Sequence, residues 1–538
     1  MKPMLLRTLA LIALSSPRLV AQTATTDLPV GAPLPGGRHV AEVLQVALDD
    51  DGRRLAWVRG DLGEGKLLLR DDEVVALRAQ PLNEPAGTAL GEIGALRFDG
   101  DGNPAAGLAL LRANHRHDSA IFWRNRLVAQ EGTVPAFVGA PPGTVYAGFG
   151  VPHPFDGGLV VTVTLRDPAV LSAVQHFLVR FELDAQGDVI AAERLLGADD
   201  VPAGAAGAVI AVAADGLRTD ANESGDWAVG VSLDGVGYAV VRNGAVVAAN
   251  GAPSLEPGLA YQLVGHTGKL DLNDFGALAL TTRLGSSPQA SLDAILVDGH
   301  VFVRAEDVVD GLTVLDCADF PVALSNSGDL YWSAVTRDAQ GELRSAHFRN
   351  RTAIVVEGVT SVEGRLVTHF HPDEDEQAFV VSASGRFFGG WGELEGLGRT
   401  LVRIDFGAAV PVPGCQPNPG ALRLADGTVL AGRTITLELD GAPSAGMSAA
   451  LVVGTPLASA CGTVLSFGEL LIDPAGLSAI PAGTFAGSAL SVPIAIPADP
   501  ALIDVELALQ GVFLDPAHTL PGPDVVLTNA LRFEIGAP

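Results

Sequence analysis

LSNSGDLYWSAV, residues 324–335, joins a polar Ser-Asn-Ser-Gly turn to an apolar run. The combination recurs along the chain. LDDDGRRLAWV (48–58), FDGDGNPAAGLAL (98–110), PFDGGLVVTV (154–163), DANESGDWAVGVSL (220–233) and LNDFGALALTT (272–282) repeat it. A glycine after polar residues supplies the positive φ that a tight turn between strands needs. The turn glycines are Gly52, Gly102, Gly157, Gly225, Gly276 and Gly328, at steps of 50, 55, 68, 51 and 52 residues. A last step of 48 reaches Glu376, inside HFHPDEDEQAFVV (369–381). The long step holds the Gly/Ala-rich insertion GADDVPAGAAGAV (197–209).

Each copy continues in the same way. A second polar turn follows, such as GDLGEG, ANHRHD or GSSPQ, and then two short strands, such as KLLLRD with EVVALRA. Four short strands in about 50 residues is the size of a propeller blade. The chain is therefore expected to be all-β. Seven copies predict a seven-bladed β-propeller over residues 40–407, after an N-terminal linker at 22–39. Trp57, Trp227 and Trp332 hold the same strand in three copies. They read as packing between blades, with a stacking platform for sugar rings as the alternative.

Composition changes near residue 407. GAAVPVPGCQPNPG carries four prolines, so 408–419 reads as a linker. Beyond it TITLELD and IDVELALQ alternate with period two. Six or more short strands between Gly/Pro turns predict an antiparallel β-sandwich over 420–538, suited to adhesion, anchoring or spacing.

The first 21 residues read as a signal peptide. Lys2 and Arg7 precede the apolar run Leu9 to Leu14, and Leu19-Val20-Ala21 offers cleavage after Ala21. That run is too short to span a bilayer, and no later segment is long and apolar enough. Net charge is −28, and removing the leader's Lys2, Arg7 and Arg18 leaves −31. Such a field repels nucleic acid and anionic membrane. Of three cysteines none forms CxxC; in an exported protein Cys415 and Cys461 can pair as a disulfide, while Cys317 reads as a buried thiol.

HFHPDEDEQ looks most like chemistry. His369 and His371 sit two apart on one strand face with Asp373 close by, and these three are the candidate metal ligands. The favoured reading is a turn, because Asp373 to Glu376 stand where a blade turn is due, leading into a strand from Ala378 to Val381. The second H-x-H, His115 and His117, falls at a different turn. GDLGEGK (60–66) has phosphate-loop spacing, but Leu67 replaces the required Ser or Thr. DGDGN (99–103) resembles the start of a calcium loop, with Pro104 where glycine is needed and Leu110 where Glu is needed. A loosely held calcium ion is the most this turn implies. No other cofactor and no catalytic residue is expected.

DDDGRRLAWV resembles the blades of TolB-like, PD40-type propellers, and the ladder of turns is similar to uncharacterised propeller repeats of exported bacterial proteins. The ending, from GCQPNPGALRLADG to DVVLTNALRFEIG, is similar to the C-terminal β-sandwich of large exported planctomycete proteins. These resemblances imply export and architecture, not a reaction. The expected protein is secreted, periplasmic or on the cell surface. It is a non-catalytic binding or scaffold protein that uses a propeller face for an unknown extracellular ligand, protein or glycan. The alternative is an extracellular propeller hydrolase or lyase acting on polysaccharide, which would bring acids or histidines together at the channel mouth.

Overall fold

The computed structural model describes residues 24–535. It excepts 30, 35–37, 51, 62–64, 72, 83–84, 86, 100–101, 112–118, 171–173, 214–217, 264–267, 370–378, 407, 413, 417, 427–428, 430–431, 458–460, 475–476, 503–504 and 516–522. The protein is all-β. Short 3-10 turns at Pro288–Ala290 and Pro500–Leu502 are the helical elements among the described residues. None of these is long and apolar enough to cross a membrane.

Residues 24–405 form seven successive antiparallel sheets of four to six strands. They span 33–77, 89–130, 145–197, 209–249, 260–304, 308–356 and 361–405. The sixth is typical. Val322–Leu324 pairs with Leu330–Arg337, which pairs with Leu343–Arg349, and Thr352–Val356 forms the edge. Strand Ala24–Pro29 joins the seventh sheet by pairing with Gly398–Asp405, in register Thr26↔Val402. Part of the stretch read as an N-terminal linker is thus a strand of the last sheet.

The apolar runs are explained by what covers them. Gly158–Arg166 and Leu330–Arg337 are buried along nearly their whole length, because a neighbouring sheet lies on each face. The alternation of a half-exposed strand therefore disappears. Each core lies between consecutive sheets. Trp57 packs with Leu90, Ile93 and Leu96 of the second sheet, Trp227 with Val160 and Leu178 of the third, and Trp332 with Ile295 and Val303 of the fifth. The order is cyclic, since Phe387, Trp391 and Leu401 of the seventh sheet pack with Val46, Val58 and Leu69 of the first. All three repeat tryptophans are buried, as packing residues should be.

The turn glycines hold the conformation the sequence asks for, with φ of +76, +74, +77, +79 and +85 at Gly52, Gly102, Gly225, Gly276 and Gly328. The residue opening each turn caps it. The side chains of Asp49, Asp99, Asn222, Asn273 and Ser325 accept the backbone N–H four residues on, at 2.7–3.1 Å. In the seventh sheet this turn is Ser382–Phe387, with Gly385 at φ +78 and Ser382 Oγ accepting Phe387 N. The register expected there is therefore corrected. VSASG (381–385), not PDEDE, stands where LSNSG stands, and Phe379–Val381 is the strand before the turn rather than after it. The stretch 370–378 itself lies outside the described residues.

After residue 407 a five-stranded sheet and a three-stranded sheet share one core, with Leu422, Ile435 and Leu437 against Leu451, Phe513 and Phe533. Thr434–Asp440 shows the predicted alternation, with Ile435, Leu437 and Leu439 turned into that core and the residues between them turned away. Ala408–Val412 pairs with Val525–Glu534, so the proline-rich segment read as linker supplies a strand here. Cys415 and Cys461 form a disulfide, and Cys317 is a buried free thiol. Beside the disulfide, Glu469 is buried. Burial pushes its carboxyl up, but the backbone N–H groups of Gln416, Gly462 and Cys415 outweigh this and hold it below the usual range. Asn418 and Gln510 complete the network through Glu469 O and Thr528 O.

Candidate functional site

The strands before the turns line a cavity of about 380 Å³, to which all seven sheets contribute. The mouth is tied together from sheet to sheet. Asp156 N donates to Glu223 O, Asn222 Nδ2 to Asn273 O and Asn273 Nδ2 to Ser325 O, at 3.0, 3.0 and 3.1 Å. Asn326 N then donates to Ala383 O and Ser384 N to Asp50 Oδ1, both at 2.7 Å. The last bond joins the seventh sheet to the first.

Three charged residues share one register position on these strands. Arg97, Asp220 and Asp271 each stand two residues before the turn cap, opposite Ala105, Ala228 and Ala279. Ala47, Ala323 and Val380 occupy it in the first, sixth and seventh sheets. The third sheet differs because its hairpin is the two-residue turn Asp156-Gly157, and His153 begins its strand.

These residues converge. His153 Nδ1 lies 2.8 Å from Asp220 Oδ1, and Asp220 Oδ2 accepts Leu272 N at 2.7 Å. Asp271 Oδ2 accepts Leu324 N at 2.6 Å. The Asp220 carboxyl lies close to that of Asp271. Burial, followed by the Asp220 charge, holds the Asp271 carboxyl well above the usual range, against the pull of Leu324 N–H and Arg97. Asp271 lies deep in the molecule, and its accessible area is open to the cavity. Around the cavity Asp49, Asp50, Asp99, Asp220, Glu223, Asp271 and Asp274 face Arg53, Arg97 and Lys269, seven acids against three cations.

The residues singled out from sequence lie elsewhere. His369 ends strand Arg365–His369, its Nδ1 3.6 Å from Glu357 Oε2. His371, Asp373, His115 and His117 are outside the described residues. Among the described residues no group of three His, Cys, Asp or Glu side chains is placed to hold a metal ion. Asp99, of the calcium-like turn, accepts from Asn103 N and from Arg124 Nη2 at 2.7 and 3.1 Å. Ser333 Oγ and His347 Nδ1 are 2.7 Å apart, a nucleophile–base spacing, but both residues are buried at 0 % and 1 % exposure. The axial group was findable in the sequence by aligning the copies on their turn caps, which puts Arg97, Asp220 and Asp271 in one column of otherwise apolar residues.

No family model matches the chain, and no curated protein does. Among solved structures it is similar to dihydro-heme d1 dehydrogenase NirN in complex with DHE (TM-score 0.32, 14 % identity, covering 73 % of this chain and 76 % of that one). It is also similar to a hypothetical protein from Leishmania major (0.19, 10 %, 52 % and 90 %) and to Morganella morganii TcdA4 (0.15, 8 %, 80 % and 22 %). Likenesses this distant carry no argument about the fold or the activity.

Proposed function

We propose that the seven sheets are the blades of a seven-bladed β-propeller and that the sheets after residue 407 form a β-sandwich. The cyclic order of the inter-sheet cores and the Ser384–Asp50 bond support this reading. The protein is then a secreted or cell-surface binding protein without catalysis of its own. It takes an extracellular ligand, a protein segment or a glycan, at the propeller face, and the sandwich displays or anchors it. What carries the binding reading is the axial cavity, a concave site with converging polar groups at its floor. A thermal-shift screen of the purified protein against glycans, peptides and cell-wall fractions tests it. A ligand at 100 times its Kd adds about 2.7 kcal/mol. The shift should be lost in Asp220→Asn. A ligand that shifts both proteins equally binds elsewhere and overturns the axial assignment.

A second reading has its own observation. His153, held by Asp220 next to Asp271, whose carboxyl burial holds well above the usual range, is the acid–base arrangement that a polysaccharide hydrolase or lyase would use. Turnover of a polysaccharide by the wild type, lost in His153→Gln, would replace the non-catalytic reading.

A further inference from the structure

The groups at the cavity floor sort by hydrogen-bond role. Carboxylates only accept, and Asp220 and Asp271 stand side by side at the floor. Leu272 N and Leu324 N satisfy one oxygen of each. His153 turns Nδ1 to Asp220, which makes Nε2 the acceptor of the neutral ring. Its residue is 3 % exposed, and Nε2 has no hydrogen-bond partner in the structure. A buried acceptor left without a donor is costly. The cations nearby are engaged at least partly elsewhere, Arg97 Nη1 donating to Leu96 O at 3.0 Å and Lys269 Nζ to Asp319 O. The floor is therefore rich in acceptors, inside a lining with four more acids than cations.

We propose that the axial cavity binds an organic cation, a primary ammonium or guanidinium group, that donates its N–H bonds to Asp220, Asp271 and Nε2 of His153. Such a group has at least three donors and the charge that this lining attracts. The proposal rests on the reading of the axial cavity as a ligand site and names the chemistry of that ligand. It has a linked consequence. In the free protein burial and the Asp220 charge favour the protonated form of the Asp271 carboxyl, and an arriving cation favours its charged form, so binding is linked to proton release. The charged and titratable groups around the pair are Arg97, His153 and Lys269, with Arg53, Asp49, Asp50, Asp99, Glu223 and Asp274 also lining the cavity.

Isothermal titration of the full chain tests this with putrescine, methylammonium, guanidinium, a lysine-ended peptide and glucose, in buffers of different ionisation heat. One-to-one binding of an amine or guanidinium is expected, with net proton release. Affinity should be higher at pH 8 than at pH 6, and should fall about tenfold or more in Asp271→Asn and in His153→Gln. Binding of putrescine assigns a free small cation, and binding of the peptide alone assigns a partner's lysine. Either outcome supports the proposal. Cation binding without proton release, or undiminished in both variants, overturns it, and the proton count on the wild type needs no variant to fold. If glucose binds and the variants weaken it, the cation assignment falls while the axial ligand site stands. If no cation, glucose or other screened compound binds, both fall.

Discussion

His347 offers a pH test of the packing between the sixth and seventh sheets. Its ring is buried against Phe379 and Phe388, with centroids 5.6 and 5.3 Å away, and burial pushes its pKa down from 6.5 to about 3. In the unfolded chain the same ring takes a proton below pH 6.5. Between the two values the unfolded state binds more protons, so the contribution is full above pH 6.5 and is lost as pH falls below it. From pH 8 to pH 5 the loss spans about 1.5 units, or about 2 kcal/mol. Asp316 works the other way. Burial, then Asp293, raises its carboxyl to about 7, so it stabilises below 3.8 and that stability is lost as pH rises through 7. The wild-type curve alone is thus flattened, and the readable quantity is a difference. His347→Asn keeps an acceptor for Ser333 Oγ and removes the titration. At pH 8 the variant should be less stable by a packing loss of about 1–3 kcal/mol. At pH 5 that gap should shrink by about 2 kcal/mol. Urea unfolding followed by tryptophan fluorescence measures it, because all five tryptophans precede residue 407 and report on the seven sheets alone. A gap of the same size at both pH values would refute a buried neutral imidazole at this position.

Three further outcomes are expected. Replacing Cys415 and Cys461 by serine removes a crosslink over 46 residues and should cost about 4 kcal/mol in the C-terminal region, read by limited proteolysis after residue 407 with the tryptophan signal unchanged. Gly414→Ala should destabilise the same region by about 2 kcal/mol or more, since φ is +77 and the new Cβ would stand 2.5 Å from Glu469 Oε2; urea midpoints by far-UV circular dichroism test it. Asn273→Ala leaves Ala277 N and Ser325 O without their 2.8 and 3.1 Å partners and should cost about 2–3 kcal/mol by tryptophan-monitored unfolding, whereas Asn273→Asp, which keeps the cap, should cost less.

The repeat was legible because its turn needs a glycine at positive φ and a capping side chain, and both are local requirements. It failed once, where the acids of 373–376 imitate a turn while the cap is Ser382 in a segment without Asp or Asn. The strand added to the seventh sheet was not legible either. TTDLP pairs with residues some 376 positions away, and no local pattern records so distant a partner. The axial group was legible in part, since aligning the turn caps puts Arg97, Asp220 and Asp271 in one column, whereas His153 joins them only by wrapping. His369 and His371 are conspicuous in the sequence through their spacing alone, and of the two only His369, 3.6 Å from Glu357, lies among the described residues.

The pairing of Ala24–Pro29 with Gly398–Asp405 acts as a clasp whose two halves are made at opposite ends of synthesis. At ~5–20 residues per second the first half waits ~20–75 s for the second. Once made, Gly398–Asp405 presents a bare edge to other chains until the first strand docks on it. A processing cut after Ala21 spares the clasp, whereas one beyond Pro29 would leave that edge open for the lifetime of the protein.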